Sequence, residues 1–216
     1  MIKNVIFDFG GVIMTIDHPE AIRRFKALGF QDAEKELDPW TQGGIFGMIE
    51  EGKIDDEEFR LRLSQLCHRE LSWNDCQWAC IAYRKEVPAR NIEFLRKLRN
   101  EGYRLIMLSN TNPYMMAWAM SPDFSRLIDR ECMEGRPVSD YFDAVYLSYK
   151  IGAMKPDPRF YKTMMETEQL NPAESIFIDD GQRNIEAGRQ LGMHTFCPKN
   201  GEDWTDAFYK TIKSIE

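Results

Sequence analysis

Val5-Ile6-Phe7-Asp8-Phe9-Gly10-Gly11-Val12 reads as a short buried strand that stops at a carboxylate and turns on glycines. A charge at the end of a buried strand costs several kcal/mol unless it is paired or its pKa shifts, so it is not there by default. Two other apolar runs end the same way. Leu105-Ile106-Met107-Leu108 runs into Ser109-Asn110-Thr111-Asn112, and Ser175-Ile176-Phe177-Ile178 runs into Asp179-Asp180-Gly181. In parallel α/β sheets, polar groups at the carboxyl ends of strands converge on one crevice, where ligands bind.

Around these runs, strand signals alternate with helix signals, the mark of a doubly wound, Rossmann-like parallel α/β sheet. The first strand is expected at about 4–9, the second after Gly102, the third at 144–148, the fourth at 175–178 and a short last one at 193–197. The stretch from Asp17 to Val87 carries no strand pattern and reads as several helices. Asp17 precedes Pro19 and the run Ala21-Ile22-Phe25-Leu28, Asp55 precedes Glu58 as a carboxylate capping box, and Ser72 opens a helix toward Tyr83. The expected organisation is a core of residues 1–14 and 88–216 with an all-helical cap, 15–87, inserted after the first strand. A helical unit tethered there would sit over the crevice as a lid.

The chain has 216 residues, 43% of them hydrophobic, enough for one core plus an insertion. A net charge of −7 argues against nucleic acid or an anionic membrane as the main partner. The amino terminus enters the first strand without an apolar signal region, and no apolar run approaches membrane-spanning length. Five scattered cysteines without a Cys-x-x-Cys suit a reduced cytoplasm. Cys76 and Cys80, near His68, read as helix packing rather than zinc ligands. His18, His68 and His194 have no partner spacing for metal or triad chemistry. Tyr114 to Met120 reads as packing, and the charges of 123–136 as a solvated loop.

The strand-end residues form a chemical set. A carboxylate such as Asp8 can attack phosphorus, giving an aspartyl-phosphate that water cleaves. Phosphoryl transfer needs in-line positioning and cancellation of spreading negative charge. Magnesium suits this, held by carboxylates plus substrate oxygen and water, and Asp8, Asp179 and Asp180 supply such ligands. Ser109 offers a hydroxyl to a phosphoryl oxygen, with the Asn110 amide beside it, and Lys155 a cation for both phosphate and carboxylates. Singly, each has a plain reading: a turn aspartate, a helix cap, a Ser turn, a surface lysine. Jointly, in this order at successive strand ends, they point to one site.

That constellation resembles the haloacid dehalogenase superfamily along nearly the whole chain. Its four motifs match residues 7–12, Leu108-Ser109-Asn110, Lys155-Pro156 and Ile178-Asp179-Asp180, and Asn184-Ile185 fits the start of the following helix. Within it, the second and fourth motifs are most similar to bacterial sugar-1-phosphate phosphatases of the glucose-1-phosphatase type. The resemblance implies that Asp8 is the nucleophile, with Ser109 and Lys155 catalytic beside it. It also implies that Ser109, Asn110 and Lys155 bind the phosphate. Magnesium would be held by Asp8, the Gly10 carbonyl, Asp179 and Asp180, one of the pair through water. The partner is then a small phosphorylated metabolite, and the protein a magnesium-dependent phosphoric monoester hydrolase.

One position departs from the pattern. Phosphatases of this superfamily usually carry an aspartate two residues after the nucleophile, as general acid and base. Here it is Gly10, and such a loss typically costs ~10²–10⁴-fold. Leaving groups of low pKa would need the acid less. Thr15 and Asp17 follow downstream as substitutes without geometric support. Gly10 therefore keeps open a catalytically impaired binding or regulatory protein of the same fold. A haloacid dehalogenase is a further alternative, disfavoured because two adjacent carboxylates without a metal would repel an anionic haloacid.

Overall fold

The computed structural model describes residues 1–37, 43–129 and 131–215. Strand β1 (Asn4–Phe7) is followed by the two-residue β2 (Thr15–Ile16). Helices α1 (His18–Ala27), α2 (Ala33–Glu36), α3 (Gly44–Glu50), α4 (Asp56–Leu66) and α5 (Trp73–Cys80) come next. Strand β3 (Arg84–Glu86) then pairs antiparallel with β2. The α/β alternation resumes with α6 (Ala89–Asn100), β4 (Arg104–Ser109), α7 (Pro113–Ala119), β5 (Ala144–Leu147) and α8 (Ser148–Ile151). It closes with α9 (Pro158–Thr167), β6 (Ser175–Ile178), α10 (Gln182–Gln190), β7 (His194–Phe196) and α11 (Thr205–Ile215). No helix among the described residues is long and apolar enough to cross a membrane.

The main sheet has the order β5-β4-β1-β6-β7, and all its strands run parallel. Strand β1 is central because it is apolar on both faces. Val5 and Phe7 join the cluster under α6 and α11, while Ile6 joins the opposite cluster under α9 and α10. That alternation is the two-residue period of a strand covered on both sides. The chain visits β4 and β5 on one flank of β1 and then crosses to β6 on the other. The switch point therefore lies at the end of β1.

Between β2 and β3, the helices share a separate apolar cluster that includes Phe25, Phe46, Phe59 and Leu63, with Tyr114 of α7 reaching in from the core. Tyr114 also donates its hydroxyl to the Asp56 carbonyl at 2.6 Å. Asp17, Asp55 and Ser72 each cap a helix, as expected. The box at Asp55 is half formed, since the Glu58 carboxylate turns to Arg62 instead. A complete box forms between Ser72 and Asp75.

Two expectations are corrected. The stretch before Val87 does hold a strand, β3, whose polar Arg84-Lys85-Glu86 is extended because it pairs with β2. The charges of 123–136 are not all solvated. Asp129 is buried, ion-paired with Arg96 and hydrogen-bonded by the Tyr141 hydroxyl. Arg130 and residues 38–42 lie outside the described residues.

Candidate active site

Asp8 follows the last residue of β1, one step past the strand, and its N–H donates to the Ile178 carbonyl of β6 at 2.9 Å. The carboxylate accepts the Phe9 N–H at 2.7 Å and the Lys155 ammonium at 2.8 Å, both on Oδ1. Lys155 is buried, and its Nζ also lies 2.6 Å from Asp179 Oδ2. Burial opposes its charge, yet Asp179 and Asp8 hold its amine above the usual lysine range. Asp179 is enclosed and saturated with donors. It accepts the Gly181 N–H at 2.7 Å and the Asn184 amide at 3.0 Å on Oδ1, besides Lys155.

Asp8, Asp179 and Asp180 each present an oxygen within 4.8 Å of the others, a grouping not repeated among the described residues. Burial pushes the Asp8 carboxyl well above the usual range, helped by Asp179 and Asp180 and opposed by Lys155. Burial and Asp179 push Asp180 up to about 6. Lys155 pairs with Asp8 and Asp179 but not Asp180, so with all three carboxylates ionised the cluster carries two negative charges that the lysine does not offset. Hard oxygen donors with that residual charge fit a divalent cation of the magnesium type.

Gly11 makes the cluster possible. Its φ is +76°, and a Cβ there would lie 2.1 Å from Asp180 Oδ2. The following turn is tied down from behind. Buried Asn91 of α6 donates to the Val12 and Ile13 carbonyls at 3.0 and 3.1 Å, and the Trp204 indole donates to Val12 at 3.0 Å. Asn91→Ala should cost about 1–3 kcal/mol, because buried carbonyls lose their donor. Urea unfolding reads this directly, and an unchanged midpoint would mean that water replaces the amide.

Ser109 ends β4 and is buried beside the site. The Asn110 side chain is occupied at both ends. Its Oδ1 accepts the Lys155 N–H at 2.8 Å and its Nδ2 donates to the Lys155 carbonyl at 2.9 Å. Asn110 therefore clamps the lysine loop with its side chain. Ser109 and Asn110 also line a cavity of about 140 Å³ together with Gly10, Ile16, His18 and Glu50.

Asp8, Ser109, Asn110, Lys155, Asp179 and Asp180 thus meet at the carboxyl edge of the sheet. A family model for haloacid dehalogenase-like hydrolases matches residues 2–192. The chain belongs to this hydrolase family. It is 45% identical over 204 residues to the D-ribitol-5-phosphate phosphatase of Bacteroides thetaiotaomicron, covering 94% of this chain and 95% of that one. Among solved structures, a HAD-like family hydrolase from Porphyromonas gingivalis superposes with a TM-score of 0.91 at 39% identity, over 99% of this chain and 98% of that one. A HAD family enzyme from B. thetaiotaomicron, an aspartate-to-alanine mutant solved with magnesium and inorganic phosphate, gives 0.87 at 33% identity, over 96% and 99%. The L-2-haloacid dehalogenase of Xanthobacter autotrophicus, at 18% identity and a TM-score of 0.60, shares the fold.

Sequence reasoning overlooked two residues here. Asn91 lies in an ordinary amphipathic helix, and Glu50 is one of two adjacent glutamates in Met48-Ile49-Glu50-Glu51-Gly52. Asp17, weighed earlier as a substitute acid, spends its carboxylate on the Glu20 N–H at 3.0 Å.

Proposed function

We propose that this protein is a magnesium-dependent phosphatase of a small phosphorylated sugar or sugar alcohol, working through an aspartyl-phosphate on Asp8. The observation that carries the reading is the convergence of the Asp8, Asp179 and Asp180 carboxylates at the end of the central strand, with buried Lys155 bridging the first two. The 45% identity to a D-ribitol-5-phosphate phosphatase supports the substrate class. Fold alone would not, since one fold hosts many substrates. The free cysteines, Cys67, Cys76 and Cys80 of them buried, suit a reducing cytoplasm.

In this reading Asp8 attacks the phosphorus. Its Oδ1 is held by Phe9 and Lys155, which fixes the carboxylate plane for in-line approach. Lys155, the Ser109 hydroxyl and the Asn110 N–H stabilise charge on the phosphoryl oxygens. Magnesium, when bound, would neutralise the phosphoryl group and the carboxylates that hold it. Asp8, the Gly10 carbonyl and Asp180 would hold it directly. Asp179, whose oxygens already receive Lys155, Gly181 and Asn184, would complete the site or bind through water. The 15–87 insert acts as the cap that selects substrate. Gly10 by itself gives little support to a non-catalytic protein, because the rest of the set is intact.

The test is phosphate release from D-ribitol 5-phosphate and a panel of sugar phosphates. Activity should vanish in EDTA and return with magnesium, and full turnover in metal-free buffer would overturn the metal assignment. Stability supplies a second readout. Asp180 rises from the usual 3.8 to about 6 on folding, so the unfolded chain gives up this proton first. This group therefore destabilises the metal-free protein progressively as pH climbs from about 4 to about 6. Magnesium should raise the melting temperature more at pH 7.5 than at pH 5, where protons compete for the same oxygens. An equal rise at both would contradict this site.

A further inference from the structure

We propose that Glu50, carried by the helical insert, is the proton donor and acceptor on the leaving-group side of the Asp8 reaction. The inference rests on the phosphatase reading above. A primary alkyl phosphate such as ribitol 5-phosphate departs as a poor leaving group and needs a proton. The position two residues beyond Asp8, where this family usually carries that acid, holds Gly10, which has no side chain to give a proton. A Cβ there would meet Ile16 Cδ1 at 2.9 Å.

The cavity beside Gly10 offers three titratable side chains among the described residues: His18, Glu50 and Tyr83. A ring nitrogen of His18 is engaged with the Leu37 carbonyl. Burial holds the Tyr83 phenol far above its usual range, so it gives up no proton near neutrality. Glu50 remains. It is the last residue of α3, buried, and it accepts a hydrogen bond from the Asn112 amide, the cap of α7.

The placement is set by backbone. Gly52, just past α3, has φ +69° and lies so near α8 that a Cβ would fall 2.2 Å from the Tyr149 carbonyl. That close approach seats the end of α3 on the core. Lys155, Cys80 and Tyr83 also face Glu50. Burial raises the carboxyl to about 7, against the pull of Asn112 and Lys155. An acid poised there both gives and takes a proton at neutral pH.

The two half-reactions balance. First, an Asp8 oxygen bonds to phosphorus as the ester P–O bond breaks, and the Glu50 proton passes to the departing alkoxide. Then water attacks phosphorus, the bond to Asp8 breaks and restores its carboxylate, and the water's proton passes to Glu50. Inorganic phosphate leaves and Glu50 is protonated again.

Glu50→Gln tests this, with single-turnover rates on ribitol 5-phosphate and p-nitrophenyl phosphate in magnesium. The alkyl rate should fall about 10²–10⁴-fold. Nitrophenolate, which needs no proton, should still be released in a burst at within about tenfold of the wild-type rate. Phosphorylated Asp8 should then accumulate, because hydrolysis has lost its base. Glu50→Ala, which removes the buried polar group altogether, should show the same split if Gln folds poorly. Equal losses on both esters, or an alkyl rate near wild type, would overturn the role of Glu50 while leaving the phosphatase reading standing. A wild-type protein that neither phosphorylates Asp8 nor hydrolyses any ester would instead overturn that reading.

Discussion

Asp8→Asn should abolish turnover, by about 10⁴-fold or more, the scale on which removing a covalent nucleophile acts. The substitution keeps the shape of the side chain. The amide oxygen still accepts the Phe9 N–H and the Lys155 ammonium, the contacts that now fall on Oδ1. It also removes one of three mutually repelling carboxylates, so the metal-free fold should not lose stability. Wild-type protein quenched during turnover should carry an acid-stable, hydroxylamine-sensitive phosphoryl group, and the variant none. Turnover by Asp8→Asn within tenfold of wild type would refute covalent catalysis through this residue.

Gly11→Ala should also lower activity strongly, though Gly11 carries no chemistry. The added methyl would sit 2.1 Å from Asp180 Oδ2, on a backbone at φ +76°. The conformational penalty alone is about 1–2 kcal/mol. Asp180 must also swing out of the carboxylate cluster. The expected result is at least ~10²-fold lower activity at fixed magnesium, the scale of losing a group that orients or stabilises the reacting phosphate, with partial recovery at high magnesium. Gly102→Ala is the matched control. Gly102 has φ +89° with nothing within 4 Å of a Cβ, so it should lose stability and keep its magnesium response. If both variants respond to magnesium like wild type, the Asp180 contact does not govern metal binding.

The sheet and the strand-end set were legible because each depends on local pattern. β1, β4 and β6 are apolar runs that stop abruptly at Asp8, Ser109 and Asp179, and parallel pairing brings those stops to one edge. Lys155 was legible only as part of the set, since nothing local distinguishes it from a surface lysine. Three features were illegible because long-range contacts create them. β3 has no apolar alternation and is extended only through β2. Asp129 looks solvated until Arg96 and Tyr141 enclose it. Glu50 and Glu51 are indistinguishable in sequence, and the docking of α3 on α8 buries the first and leaves the second partly exposed. Sequence alone left the site without a proton donor and so favoured leaving groups of low pKa. With Glu50 in the cavity, the wild type should handle alkyl phosphates nearly as well.

The contact between Gly10 and Ile16 also bears on how such a site can change over generations. An aspartate at 10 is compatible with the backbone, whose φ lies outside the left-handed region. Its Cβ would nevertheless meet Ile16 Cδ1 at 2.9 Å, and its carboxylate would lie against an apolar side chain. The Ile16 backbone is held by Asn200, which binds its N–H and carbonyl at 2.9 and 3.0 Å, so relief has to come from rotation of the Ile16 side chain. The order of substitutions therefore matters. A lineage gaining an acid at position 10 would cross more easily by first shortening residue 16 and only then acquiring the aspartate. Until both steps were complete, purifying selection would keep the glutamate of the insert in place.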